Sequence, residues 1–196
     1  MTVHHQFLDS EYFYPNWEVN TLFLGTFNPV CGERLDYYYR RRSNGFWKIL
    51  KYYDTTNEYD FSDFQSLKRF MGKKRFGCVD VIRSVTFPNN DRSKICGDGY
   101  TDSNLFRVRG YTREYNFEQI KEYVRNNEVS NILTTWGDRK DPNEFKDLLQ
   151  DFKSYCLENG INFINLKSPS GRLYRGDRVE EINSNWLQHL TPILQI

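Results

Sequence analysis

Thr21-Leu22-Phe23-Leu24-Gly25 decides the fold. The run is uncharged, apolar at its centre and closed by glycine. It is too short for a helix and lacks the polar alternation of a strand with one wet face, so it reads as a strand buried on both faces. Similar short runs recur at 77–82 (G-C-V-D-V-I), 131–135 and 161–166. The stretches between them have helical spacing. Phe46, Ile49, Leu50 and Tyr53 share one face, with Ser43 or Asn44 as the expected N-cap. Further helices are expected over 62–71, 116–126, 142–157 and 178–190. Gly72 ends the first of these four and Gly160 the third, whose start carries Asp141 as cap and Pro142 in the first turn. The segment 84–113 is polar, carries Pro88 and three glycines, and reads as a long loop. Loops of that length inside a compact domain are often functional.

Strands alternating with helices predict an α/β protein. The expected architecture is a three-layer α/β/α sandwich around a central four-stranded parallel sheet, forming one domain over residues 1–196. Crossovers in such a sheet are right-handed, and ligands bind beyond the carboxyl ends of the strands. The two loops at those ends that stand out are 25–44 and 167–172.

Composition narrows the class. Hydrophobic residues make up 38% and charged residues 27% of the 196, a globular balance. Aromatics reach 17%, enough to fill a core and leave rings for a flat ligand. The net charge of +1 does not announce a polyanionic partner, but charge is concentrated locally. Arg40, Arg41 and Arg42 are consecutive, with Lys48 and Lys51 behind them, and Lys68, Arg69, Lys73, Lys74 and Arg75 form a second cluster. Either group can neutralise phosphates, and either can be a solvated face. Cys31, Cys78, Cys96 and Cys156 have no C-x-x-C spacing, so no zinc or iron–sulfur site is expected and the thiols are read as reduced in an intracellular, cytoplasmic chain. His4 and His5 are too few for a metal tract. No signal peptide is visible, and no apolar stretch approaches the roughly 20 residues of a membrane helix.

Three loop segments can carry chemistry. In Gly25-Thr26-Phe27-Asn28-Pro29 the glycine admits close backbone approach, and the Asn28 amide can orient a water or read a base edge. In isolation Asn28 can equally cap a turn. The stretch from Tyr37-Tyr38-Tyr39 through Arg40-Arg41-Arg42 to Ser43-Asn44-Gly45-Phe46-Trp47 joins three rings to three guanidiniums. Rings stack on bases and arginines grip phosphates. Phe46 and Trp47 also suit a helix core. Ser168-Pro169-Ser170-Gly171-Arg172 is a small-residue loop that can enter a groove with Arg172 at its tip, or simply turn the chain.

Taken in order, these pieces resemble the uracil-DNA glycosylase superfamily, nearest its mismatch-specific and hypoxanthine-DNA glycosylase branches. The matching segments are 22–29, 38–50, 77–84 with Asp80-Val81, 131–137 and 165–172, and the order holds over 22–190. The resemblance implies a monofunctional DNA glycosylase of base-excision repair. Such an enzyme flips a deaminated or mismatched base from DNA and hydrolyses its glycosidic bond without cofactor or metal. It makes Asn44, by likeness to the hypoxanthine branch, or Asn28, by likeness to the mismatch-specific branch, the catalytic group, and Gly25, Thr26, Phe27, Tyr39 and Phe46 the base-binding set, with Phe27 and Phe46 as the candidate stacking rings. It makes Arg40, Arg41, Arg42, Ser168, Ser170, Gly171 and Arg172 the DNA contacts. The expected partner of this monomeric chain is damaged or mismatched DNA, with no membrane.

The chain departs from the pattern in places. Asn28 is displaced by one residue relative to the usual Gly-x-Asn-Pro, Val30 and Cys31 stand where small residues are common, and Ser168 replaces a His or Asn. These departures keep a second expectation open, a catalytically inactive nucleic-acid-binding member of the same fold. A different α/β nucleotide enzyme lacks support, because neither G-x-G-x-x-G nor a Walker-type lysine loop is present.

Overall fold

The computed structural model describes residues 1–97, 100–107, 110–136 and 143–194. Asp141 and Pro142, expected to start a helix, lie outside the described residues. Among the described residues two sheets form. The larger is wholly parallel and contains β2 (Thr21–Gly25), β3 (Phe76–Asp80), β6 (Asn131–Thr134) and β7 (Asn162–Asn165), in the order β3-β2-β6-β7. Every residue of β2, β3 and β6 is buried, which is why their sequences run apolar without alternating. Edge strand β7 is partly exposed and reads N-F-I-N.

Helices surround this sheet, as expected for an α/β protein and compatible with three layers. On the face carrying Phe23 lie α1 (Phe46–Leu50), α2 (Phe64–Lys73) and α7 (Arg178–Leu194). Phe23 stacks on Trp186 of α7 with centroids 5.9 Å apart, and meets Phe46 of α1 edge-on at 5.1 Å. Phe70 of α2 meets Phe76 of β3 at 5.8 Å. Such aromatic pairs add roughly 0.5–1.5 kcal/mol each beyond simple burial. Toward β7, α5 (Phe117–Asn126) and α6 (Asn143–Glu158) pack through Phe117 and Phe152, and Phe152 reaches Phe163 of β7. Asp63 caps α2 by accepting from the Ser66 amide, one residue inside the expected start. No helix among the described residues is long and apolar enough to cross a membrane.

Two expectations need correction. The strand expected over 77–82 divides at Val81: β3 ends at Asp80, and β4 (Ile82–Thr86) begins in the other sheet. That sheet is antiparallel, ordered β1-β4-β5, with β1 at Thr2–His4 and β5 at Thr112–Tyr115. The segment 84–113 is therefore not a plain loop. It completes β4, runs through α3 (Arg92–Ile95) and α4 (Asp102–Arg107), and returns as β5. Its strands are polar because they lie in a small sheet with one wet face, and their partners are distant in sequence. Local periodicity gives little sign of such pairing.

Candidate functional site at the carboxyl edge of the parallel sheet

In register, Gly25 pairs with Asp80 and Thr134 pairs with Leu24 and Asn165, so the carboxyl ends of all four strands form one edge. From β2 the chain crosses first to one neighbour, β3, and later returns to the other, β6. This reversal opens a crevice beyond β2. Gly25 ends β2 at this edge. A Cβ there would lie 2.0 Å from Asp80 Oδ1 and 2.7 Å from the Tyr39 hydroxyl, so these two oxygens pack directly onto the backbone where only glycine lets them approach.

Asp80 is the centre of the cluster. Its Oδ2 accepts from His5 Nε2 and from Asn28 Nδ2, both at 2.8 Å. His5 Nδ1 accepts from the Phe7 amide at 3.0 Å, which assigns the donated hydrogen to Nε2. The His5 ring is buried among Phe7, Phe13, Phe27 and Tyr38. Burial pushes the Asp80 carboxyl above its ordinary range. The His5 and Asn28 bonds oppose that shift, and the charge of Asp102 adds to it.

Further hydrogen bonds fix the loop leaving β2. Thr26 Oγ1 donates to Asp102 Oδ2 at 3.1 Å, and the Tyr100 hydroxyl donates to the Phe27 carbonyl at 2.7 Å. Tyr39 has φ 61°, a left-handed backbone that costs a bulky residue about 1–3 kcal/mol and is found preferentially at functional positions. The conformation lays its ring flat on Phe46, centroids 4.1 Å apart, and brings its hydroxyl to 3.1 Å from Thr135 Oγ1. Burial raises the Tyr39 phenol well above its usual 10.0.

Beside this crevice Glu33, Arg41, Arg42, Ser43 and Gly97 line a cleft of about 580 Å³. Its walls are tied by a disulfide between Cys31 and Cys96, which corrects the reading of four reduced thiols. Cys78 and Cys156 are free and buried. The loop 168–174 closes over the start of α1. The Gly45 amide donates to the Pro169 carbonyl at 2.8 Å, and a Cβ on Gly171 would collide with Ser43.

The structure thus brings Gly25, Thr26, Asn28 and Tyr39 to one place. It sets Ser168, Ser170, Gly171 and exposed Arg172 on the neighbouring loop, where Ser168 Oγ accepts from the Ser170 amide. Three expected roles change. Phe46 is fully buried beneath Tyr39 and against Trp186, so it has no free face for a base, and its truncation would cost about 3–5 kcal/mol of core packing. Phe27 is likewise buried and serves through its backbone carbonyl. Arg40 is a structural tie, paired with Asp36 and donating to the carbonyls of Phe61 and Ser62. Arg41 lies over the Tyr100 ring at 5.1 Å and near Glu33, while Arg42 is exposed. Asn44 accepts from the Phe46 amide at 2.9 Å, an Asx turn at the start of α1, where Gly45 is the N-cap. The second basic cluster ends at the opposite edge of the sheet, where the Arg75 carbonyl receives the amides of Asn20 and Thr21.

Sequence reasoning missed His5, Asp80, Tyr100, Asp102 and Thr135 as site residues. Asp80 had a legible signal, an acid closing a buried apolar strand. His5 had none, because its contact spans 75 residues. Among the described residues no group of three or more His, Cys, Asp and Glu is placed to hold a metal ion. No protein-family model matches the chain, and no curated protein matches it.

Proposed function

We propose that this chain is a DNA N-glycosylase with a uracil-DNA glycosylase-like fold, releasing a deaminated or mismatched base by hydrolysis. The observation that carries the reading is the convergence of loops 25–29, 39–46 and 168–172 at one edge of the parallel sheet. Those are the segments on which the resemblance rests, and the arginine-lined cleft beside them suits a phosphate backbone. In this reading the target nucleotide leaves the duplex and its base reaches the carboxyl edge of the sheet, beside loops 25–29 and 39–46. Tyr39, rather than Phe46 or Phe27, supplies the ring beside it. The Asn28 amide, held by its bond to Asp80, presents its carbonyl oxygen to a water or a base edge. Arg41, Arg42 and Arg172 contact phosphates.

The test is release of uracil, hypoxanthine or xanthine from labelled single- and double-stranded oligonucleotides, read as strand cleavage after alkali. Release from any of them that is lost in Asn28→Ala supports the reading. A second reading, a nucleic-acid-binding protein of the same fold without the chemistry, is favoured by one observation. The Asn44 carbonyl oxygen is occupied by its own helix. Oligonucleotide binding without release of any base would select this second reading.

A further inference from the structure

We infer that the disulfide between Cys31 and Cys96 is a redox switch on the arginine cleft. Closed, it sets Arg41 to receive a phosphate; opened by a dithiol, it releases Arg41 and weakens DNA binding. The inference rests on the reading of that cleft as a phosphate site and not on the glycosylase chemistry.

The two linked segments have little else to order them. Over 30–36 the one buried side chain is Leu35, and over 88–97 it is Ile95. Within the second segment α3 is a single turn, too short to be stable alone. Stretches with so few buried contacts are the first to open. The disulfide joins them across 65 residues of sequence, and beside it the Gly97 amide donates to the Cys31 carbonyl at 3.2 Å.

Both cysteines adjoin the cleft. Gly97 follows Cys96, Glu33 lies just beyond Cys31, and both line it with Arg41, Arg42 and Ser43. The Arg41 guanidinium has one flank from each side of the link. A Cβ on Gly32, next to Cys31, would lie 3.7 Å from its Nη2, and the Tyr100 ring, shortly after Cys96, faces it at 5.1 Å. Tyr100 is itself fixed by donating to the Phe27 carbonyl. Arg41 Nε has no hydrogen-bond partner among the described residues. Glu33 Oε2, at 3.8 Å, is beyond hydrogen-bond distance. A cation flanked in this way is ordered before an anion arrives, and such pre-organisation raises affinity.

Cys31 and Cys96 are half-buried, so a small dithiol reaches them, whereas Cys78 and Cys156 are buried. One thiolate of the dithiol attacks a cysteine sulfur, the S–S bond breaks, and its electron pair leaves on the other cysteine. The second thiol of the reagent then displaces the mixed disulfide. The reagent ends as a cyclic disulfide, and the protein gains two electrons and two protons as the thiols of Cys31 and Cys96. The flanks of Arg41 are then no longer tied to each other, and ordering its guanidinium falls to the phosphate.

The experiment measures binding of a fluorescent double-stranded oligonucleotide by anisotropy. The chain is oxidised, then held in dithiothreitol below the melting temperature of the reduced form. Alkylation read by mass spectrometry should mark Cys31 and Cys96 in the folded reduced chain and spare Cys78 and Cys156. Reduction is expected to weaken binding about tenfold and to lower the slope of log affinity against log salt by about 0.9. Reoxidation should restore both. Oxidised Arg41→Gln should match the reduced wild type and ignore dithiothreitol. Arg42→Gln should bind more weakly and keep its response. Cys96→Ser should behave as the reduced form; if it does not fold, the reversible titration of the wild type decides. Equal binding in the two states, or an Arg41→Gln chain that still responds, overturns the switch and leaves the phosphate reading of the cleft standing. A reduced wild type that unfolds makes the link a staple and overturns the switch as well. An oxidised chain that binds no DNA removes the phosphate reading, and the switch falls with it.

Discussion

Gly25 and Asp80 occupy paired positions on adjacent parallel strands, and a Cβ on Gly25 would stand 2.0 Å from Asp80 Oδ1. The Tyr39 hydroxyl closes in from the other side at 2.7 Å, so an added methyl has no flexible neighbour to displace cheaply. Gly25→Ala is expected to cost about 1–3 kcal/mol of stability through overpacking. It should also abolish base release at temperatures where the chain remains folded. Denaturant melts and the oligonucleotide assay together check this, and a variant with full activity would show that the packing of Asp80 and Tyr39 on Gly25 does not matter to the site.

The three consecutive arginines should behave differently. Arg40 is bound to Asp36 and to two carbonyls, so Arg40→Ala should lower stability and leave the salt dependence of DNA binding alone. Arg41 and Arg42 line the cleft. Replacing either should weaken binding and reduce the slope of log affinity against log salt by about 0.9 for each phosphate left unneutralised. Titrations at several salt concentrations separate the two behaviours. An unchanged slope in both cleft variants would make the run a solvated face.

The link between Cys31 and Cys96 closes a loop of 65 residues in sequence separation. Chain-entropy arguments put its contribution at up to about 4 kcal/mol. Reductant, or Cys96→Ser, should therefore lower the melting temperature, by about 2–4 °C per kcal/mol for a chain of this size. Thiol titration gives an independent check. The unfolded oxidised chain should present the two thiols of Cys78 and Cys156, and the reduced unfolded chain all four.

Burial raises the phenols of Tyr37, Tyr38, Tyr39 and Tyr100 well above 10.0, and those of Tyr14 and Tyr111 to about 12. An acid whose pKa is higher in the folded state holds its proton there after the unfolded chain has released its own. Stability is thus unaffected by these groups below about pH 10 and falls as pH rises beyond it. Phenolate absorbance should show these six tyrosines ionising together with alkaline unfolding. Their smooth ionisation in a folded chain near pH 10 would contradict the packing described.

Much of the scaffold was legible because local sequence carried it. The strand at 21–25 announced itself by an uncharged run buried on both faces, and α1 by the apolar spacing of Phe46, Ile49 and Leu50. The small antiparallel sheet was not legible. Thr112–Tyr115 reads T-R-E-Y and becomes a strand only because β4 lies alongside it. The site divides the same way. Gly25, Thr26, Asn28 and Tyr39 are expectations of the resemblance, and the structure places them near one another at one edge. Phe46 was expected to stack on a base, but an aromatic residue at the start of a helix suits core and ligand equally, and only Trp186 and Tyr39 covering its ring decide for the core.

By itself the sequence determined the parallel α/β scaffold and the loops that gather at one edge. Hydrophobic periodicity and turn chemistry act over a few residues and leave their mark in order along the chain. Only the tertiary structure decided that His5 meets Asp80, that Cys31 meets Cys96, and which arginine is tied down. Each of those contacts joins residues far apart in the chain, and a pairing of that kind depends on how the whole core packs, which no local pattern encodes.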